Sequence, residues 1–202
     1  MRTKLAWFTI VCVLLAAGAG TAGADRLPFW LYGNLGYGKW LEDGAPDGGI
    51  GLGAGIIYPL EDLPIAVGGE LGYVMLGSYD YDFSGGFGGS VDAEASLSAI
   101  PILGQAYYMI PGGDALDLYG TLGLGFYNMR WDYDVSGEIG GIGGSFSDSE
   151  SETEFGINLG AGTRFGKAER PLNFGFDFRY HIIMTENEST NVLTALGRVY
   201  FH

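Results

Sequence analysis

Residues 48 to 58 alternate, with Gly49, Gly51, Gly53 and Gly55 standing between Ile50, Leu52, Ala54 and Ile56 and with Tyr58 continuing the bulky set. Successive side chains of an extended chain point to opposite faces, so a period of two marks a strand, here with one bulky face and one nearly bare. Leu31, Leu35 and Tyr37 likewise oppose Tyr32, Asn34 and Gly36, and Val67, Leu71, Tyr73 and Met75 oppose Gly68, Glu70 and Gly72. Ile100, Ile102, Ala106 and Tyr108 oppose Pro101, Leu103, Gln105 and Tyr107, and Leu118, Leu122, Leu124 and Phe126 oppose Tyr119, Thr121, Gly123 and Gly125. A sixth segment sets Phe155, Ile157, Leu159, Ala161 and Phe165 against Gly156, Asn158, Gly160, Gly162 and Arg164. A seventh sets Phe174, Phe176, Phe178, Tyr180 and Ile182 against Asn173, Gly175, Asp177, Arg179 and His181. Residues 191 to 201 form an eighth whose phase the pattern leaves open. Each segment spans roughly the 9 to 11 residues that a tilted membrane strand requires.

The amino terminus reads as an export signal over residues 1–24. Arg2 and Lys4 precede an apolar run from Leu5 to Ala17, and Ala22-Gly23-Ala24 offers a small-residue cleavage site, so the mature chain is expected to start at Asp25. The run is shorter than the about 20 residues of a spanning helix. Cys12, the only cysteine, falls inside the signal after Val11, so no disulfide or lipid anchor is expected in the mature protein. Losing two basic residues leaves eight against 24 acidic ones, a formal charge of −16, which makes nucleic acid a poor partner.

Residues 25–202 are expected to form one domain, and they contain no apolar stretch of 18 residues. Chains of this kind enter a membrane only as a closed barrel, because hydrocarbon offers no partner to an open sheet edge. The connections alternate in character. Those near 59–64, 111–115 and 166–171 are short, whereas those near 41–48, 77–93, 132–152 and 184–190 are longer on average, acidic and rich in Gly and Ser. Short periplasmic turns facing longer external loops fit a barrel whose termini both lie in the periplasm.

Alternation alone does not separate a membrane barrel from a soluble one, but side-chain volume does. Eight strands enclose an interior only just wide enough for side chains, so the Gly-rich set belongs inside and the Leu, Ile and Phe set faces lipid. Aromatic residues near the segment ends suggest two interfacial girdles: Phe29, Trp30, Tyr58, Tyr108, Phe165 and Phe201 at the periplasmic end, with Tyr37, Trp40, Tyr73, Phe126 and Tyr180 toward the outer end. The expected fold is an all-β, eight-stranded antiparallel up-and-down transmembrane β-barrel.

Four stretches carry a resemblance to the outer-membrane β-barrel superfamily of OmpX-like, OmpA-like and OmpW-like proteins. They are Ile100–Tyr108, Leu118–Tyr127, Phe155–Arg164 and Gly175–His181, and the likeness extends over the mature chain. It implies residence in the outer membrane of a Gram-negative bacterium, among lipids and lipopolysaccharide, after insertion by the outer-membrane assembly machinery. Such proteins usually end on an aromatic residue; here Phe201 is followed by His202.

Candidate chemistry is sparse. The glycine series 49–55 resembles a phosphate-binding turn only superficially, since no helix follows and the intervening residues alternate as a strand. Glu70, Gln105, Asn158, Arg164, Asp177, Arg179 and His181 share the inward parity and are expected to form a polar network in the lumen, its charges satisfied by pairing. Asp177 and His181 could serve as acid and base, but four residues along one strand separate them by about 13 Å. A lipid A-modifying barrel enzyme would need a His beside a Ser at the rim, and neither His181 nor His202 has such a neighbour in sequence. The acidic connections offer Asp80, Asp82, Asp132, Asp134, Asp148, Glu150 and Glu152 as oxygen ligands without the ordered spacing of a calcium loop. The expectation is therefore a protein without cofactor or catalytic role, structural or interactive at the surface, with its acidic loops open to a surface ligand. The alternative is a narrow OmpW-like conduit for small apolar molecules. Alternation also continues in Ser78–Phe83 and Arg130–Val135, which predicts hairpins extending above the bilayer with mobile tips at 84–90 and 140–151.

Overall fold

The computed structural model describes residues 28–42, 44–85, 89–111, 116–139, 142–166, 171–185 and 189–201. The predicted signal, residues 1–24 with Cys12, lies outside the described residues. Eight strands follow in chain order: β1 (Trp30–Trp40), β2 (Gly49–Pro59), β3 (Ile65–Gly85), β4 (Gly89–Pro111), β5 (Leu116–Ile139), β6 (Ile142–Phe165), β7 (Leu172–Met184) and β8 (Ser189–Phe201). Each pairs antiparallel with the next, and β8 returns to β1, with Leu31 opposite Phe201 and Trp40 opposite Val192, so the sheet closes into a barrel.

The predicted facing holds strand by strand. Leu35, Leu122 and Leu159 point outward and are more than half exposed, at 63%, 56% and 65%, whereas Asn34, Thr121 and Asn158 on the adjacent parity are buried. An outer belt of exposed Leu, Ile and Phe around a closed ring is a surface for lipid. Inside, the glycines leave room for tyrosine rings. A β-carbon at Gly55 would collide with the Tyr32 ring, and one at Gly162 with the Tyr119 ring. A narrow lumen can therefore hold five buried tyrosines, Tyr32, Tyr107, Tyr119, Tyr127 and Tyr200.

The short turn at 59–64 closes β2 onto β3 with Leu60 N–H donating to the Ile65 carbonyl at 2.9 Å. Asp62 adopts φ 63°, a left-handed conformation that Asp tolerates better than most side chains. At the opposite end, four strands overrun the other four. The strands β3 to β6 are 21 to 24 residues long, against 11 to 13 for β1, β2, β7 and β8. The segments 77–93 and 132–152, read from sequence largely as loops, are thus paired strand almost to their tips: Gly85 lies opposite Gly89 and Ile139 opposite Ile142. Of the tips expected to be mobile, 84–85, 89–90 and 142–151 belong to β3, β4 and β6, and 86–88 and 140–141 lie outside the described residues.

Pairing stays in register through this extension except at one point. A bulge between Met75 and Gly77, with Gly77 at φ 120°, shifts β3 by one residue against β4. An inserted residue exchanges the two faces of a strand. Tyr79 and Tyr81 consequently lie on the lumen-side face, opposite Ala95 and Ala93, although Tyr73 and Met75 face outward. The phase of β8, left open by the sequence, puts Thr190, Val192, Thr194, Leu196, Arg198 and Tyr200 inward. Two girdle assignments are corrected. Trp40 packs inward against Trp131, with ring centroids 5.8 Å apart, and Trp30 lies under the Arg164 guanidinium at 3.8 Å, so both close the ends of the lumen.

Candidate functional site

Four charged residues meet inside the barrel: Glu70 on β3, Asp177 and Arg179 on β7, and Arg198 on β8. Arg179 donates to Glu70 and to Asp177, each at 2.8 Å. Arg198 reaches both carboxylates at 3.1 Å. Two guanidiniums and two carboxylates make a neutral cluster, and tyrosines complete its hydrogen bonding. Tyr32 donates to Glu70 at 2.5 Å and Tyr119 to Asp177 at 2.9 Å, while Asn34 reaches Glu70 at 3.3 Å. Arg198 also lies 4.3 Å from the centre of the Tyr32 ring. Because β3 and β7 stand on opposite sides of an eight-stranded ring, the Glu70–Arg179 bond spans the lumen.

The remaining predicted residues occupy the same interior in separate groups. Arg164 pairs with Asp117 on the neighbouring strand. Gln105 accepts from Thr121 at 2.8 Å, and buried Asn158 lies beside it across Gly123. His181 bonds Tyr127 through Nδ1 at 2.9 Å and Thr194 through Nε2 at 3.0 Å. Asp177 and His181 are therefore not brought together, and His181 is buried away from the lipid face. Sequence reasoning missed Arg198, Tyr32, Tyr107, Tyr119 and Tyr200 as network members. Arg198 shares its parity with Thr194 and Tyr200, a signal that a polar-only count on β8 would have caught.

Apolar layers lie beside this network. Leu76, Leu97, Ala99, Leu103, Met129, Ile183 and Val192 pack with Tyr127 as one cluster, with Trp40 and Trp131 against it. The cavity beside His181 and Ile183 is about 10 Å³, no larger than one water molecule.

Outside the barrel, the extension of β3 to β6 presents two unlike faces. The face continuous with the lumen carries Tyr79, Tyr81, Trp131, Tyr133, Val135 and Phe146, with Tyr79 and Tyr81 stacked at 6.3 Å and Trp131 and Tyr133 at 6.5 Å. The opposite face carries Asp80, Asp82, Asp92, Glu94, Asp132 and Asp134 with serines on β6, and a cleft of about 540 Å³ lies among them. Arg130 is bonded there to Asp132 at 2.7 Å, which pushes its guanidinium pKa above the ordinary value. The seven acidic residues considered as cation ligands are split, with Asp148, Glu150 and Glu152 on the aromatic face and the others opposite. Among the described residues no group of three or more acidic, His or Cys side chains is arranged to hold a metal ion.

The crystal structure of Neisserial surface protein A is similar to this fold with a TM-score of 0.53 at 16% identity, covering 88% of this chain and 99% of the other. Ail of Yersinia pestis is similar at 18% identity and a TM-score of 0.43, covering 85% of this chain and 96% of its own. The N-terminal barrel domain of Pseudomonas aeruginosa OprF is similar at 15% identity and 0.41, covering 88% and 100%. No curated protein matches the chain. The family model for the outer membrane protein beta-barrel domain matches residues 8–197, and the chain belongs to that family of Gram-negative outer-membrane proteins.

Proposed function

We propose that this outer-membrane barrel acts at the cell surface, as a structural anchor that presents the extended β3–β6 sheet to a surface ligand. The observation that carries the reading is the pairing of four strands well beyond the other four, above a lumen filled by ion pairs and side chains. A mature chain beginning at Asp25 would be inserted by the assembly machinery, with lipid and lipopolysaccharide against its apolar belt and no cofactor or catalytic chemistry required. The conduit reading is the weaker one, because passage of an apolar molecule would have to part the Glu70–Arg179 bond across the lumen.

Two measurements on the refolded protein test this. In a planar bilayer it conducts no steady ion current, and a stable open level would favour the conduit. Backbone amides from Tyr79 to Asp82 and from Trp131 to Asp134 exchange slowly, as paired strands do. Exchange there as fast as in an unstructured peptide would remove the sheet and the surface role with it.

A further inference from the structure

The extended sheet has two edges, and they are finished differently. The β3 edge is met at its base by the β1–β2 connection, where Tyr79 donates its hydroxyl to the Gly44 carbonyl at 2.7 Å and Gly77 lies against Pro46, although β2 pairs with β3 only as far as Val74. The β6 edge has no such cover. β7 pairs with β6 only from Phe155 to Phe165, and among the described residues no backbone bonds to the outer side of β6 between Gly143 and Glu154. Every second N–H and C=O of that stretch is left pointing sideways.

An open edge is a template for another strand, and proteins commonly block it with charge. Here the charge has one sign and a strict pattern. From 145 to 154 the residues run Ser, Phe, Ser, Asp, Ser, Glu, Ser, Glu, Thr, Glu, so hydroxyls occupy the outer face and Phe146, Asp148, Glu150, Glu152 and Glu154 the lumen-side face. On β5, Tyr133 lies opposite Asp148 and Trp131 opposite Glu150, with the two rings stacked at 10°. Carboxylates and the faces of Trp and Tyr attract the same groups, guanidinium and ammonium.

Three features select one partner. An open backbone edge takes an extended polypeptide, an acid at every second position takes a cation at every second position, and the adjacent rings take guanidinium faces. A second copy of this chain is a poor occupant, because its own β6 edge would set acid against acid. We propose that the free edge of β6 binds an extended cationic polypeptide segment as an added strand, its basic side chains on the lumen-side face against Asp148, Glu150 and Glu152. This rests on the surface-sheet reading and names the partner that the sheet would take.

The probe is a synthetic peptide alternating arginine and threonine, about ten residues long to match the edge at 3.3 Å per residue. Two further versions are N-methylated, one at every arginine and the other at every threonine, so that charge is kept while the amide donors of one side or the other are lost. Added to the full-length protein in nanodiscs at physiological salt, the parent peptide slows exchange of β6 amides between Ser145 and Thr153. One of the methylated versions fails to bind. Asp148→Asn, Glu150→Gln and Glu152→Gln together weaken binding by about tenfold or more, as the loss of three cross-strand charge pairs requires. Asp80→Asn, Asp82→Asn and Asp92→Asn, on the opposite face, change it by no more than about twofold, since they alter only the screened long-range field.

Equal binding of both methylated versions would show that charge alone holds the peptide and would overturn the proposal. So would loss of binding from the opposite-face variant with the β6 variant unaffected. If the free protein protects Trp131 to Asp134 and the peptide still does not bind, the added strand is refuted while the surface sheet stands. Fast exchange at those amides before any peptide is added overturns both.

Discussion

Arg198→Ala destabilises the folded barrel by about 3–5 kcal/mol, the cost of removing one partner from a buried ion cluster. The cost comes from what the guanidinium leaves behind. Glu70 and Asp177 share two arginines, so the cluster is neutral with both and carries one uncompensated negative charge with only Arg179. Arg198 and Asp177 side chains are fully buried and Glu70 nearly so, and bulk water therefore does little to relieve that charge. Arg164→Ala is milder, at about 1–2 kcal/mol, because its partner Asp117 keeps some solvent access at the end of the lumen. Urea titration of the refolded protein in bilayers, followed by the gel-mobility difference between folded and heat-unfolded forms, measures both. Adding Asp177→Asn to Arg198→Ala restores charge balance and recovers part of the loss. A single-variant cost below about 1 kcal/mol would mean that the cluster is hydrated and not a sealed plug.

The same residue marks where sequence reading stops. On β1 to β7 enough of the inward positions are glycine, tyrosine or polar to fix the phase, even though Ile57, Leu103 and Ile183 also point inward. On β8, Val192 points inward into the apolar layer beside Leu76, Leu97 and Ile183, and Leu196 is buried on the same inward parity, while Leu193 points outward. Apolar residues then stand on both parities, hydropathy loses its phase, and Arg198 goes unplaced. Trp30 and Trp40 fail for a related reason, since an aromatic near a strand end serves equally as an interfacial anchor or as a lid on the lumen.

The long strands hid for a different reason. Ser, Gly and Asp are poor strand formers taken singly, so 77–93 and 140–152 carry the composition of loops. They pair because each hairpin continues the register already set by the membrane segment below it, as in Leu97 opposite Trp131 and Trp131 opposite Glu150. The alternation in Ser78–Phe83 and Arg130–Val135 carried this information, and the extension was legible there. The bulge at Gly77 was not, because one glycine among 37 carries no mark of its left-handed φ. Without that bulge Tyr79 and Tyr81 would continue the outward parity of Tyr73 and Met75, and the aromatic face would be divided between the two sides of the sheet.

Leu122→Arg costs about 2–4 kcal/mol of stability in a bilayer, the price of an arginine against lipid near mid-membrane. Leu122 points outward near the middle of the membrane part of β5, between Ala106 on β4 and Leu159 on β6, and it is 56% exposed. Nothing on the barrel wall can shield a charge placed there. The neighbouring Thr121→Arg is not a silent control, because Thr121 is buried, donates to Gln105 and faces a filled lumen. Its overpacking costs about 1–3 kcal/mol. Depth separates the two causes. Ile110 also points outward, near the periplasmic end of β4, and Ile110→Arg costs only about 0–1 kcal/mol because its side chain reaches the headgroups. Moving the proteins from a thin to a thick bilayer raises the cost of Leu122→Arg and leaves that of Thr121→Arg unchanged, since lumen packing does not depend on lipid length. Equal costs for Leu122→Arg and Ile110→Arg, insensitive to bilayer thickness, would mean that the exposed Leu, Ile and Phe belt does not face hydrocarbon.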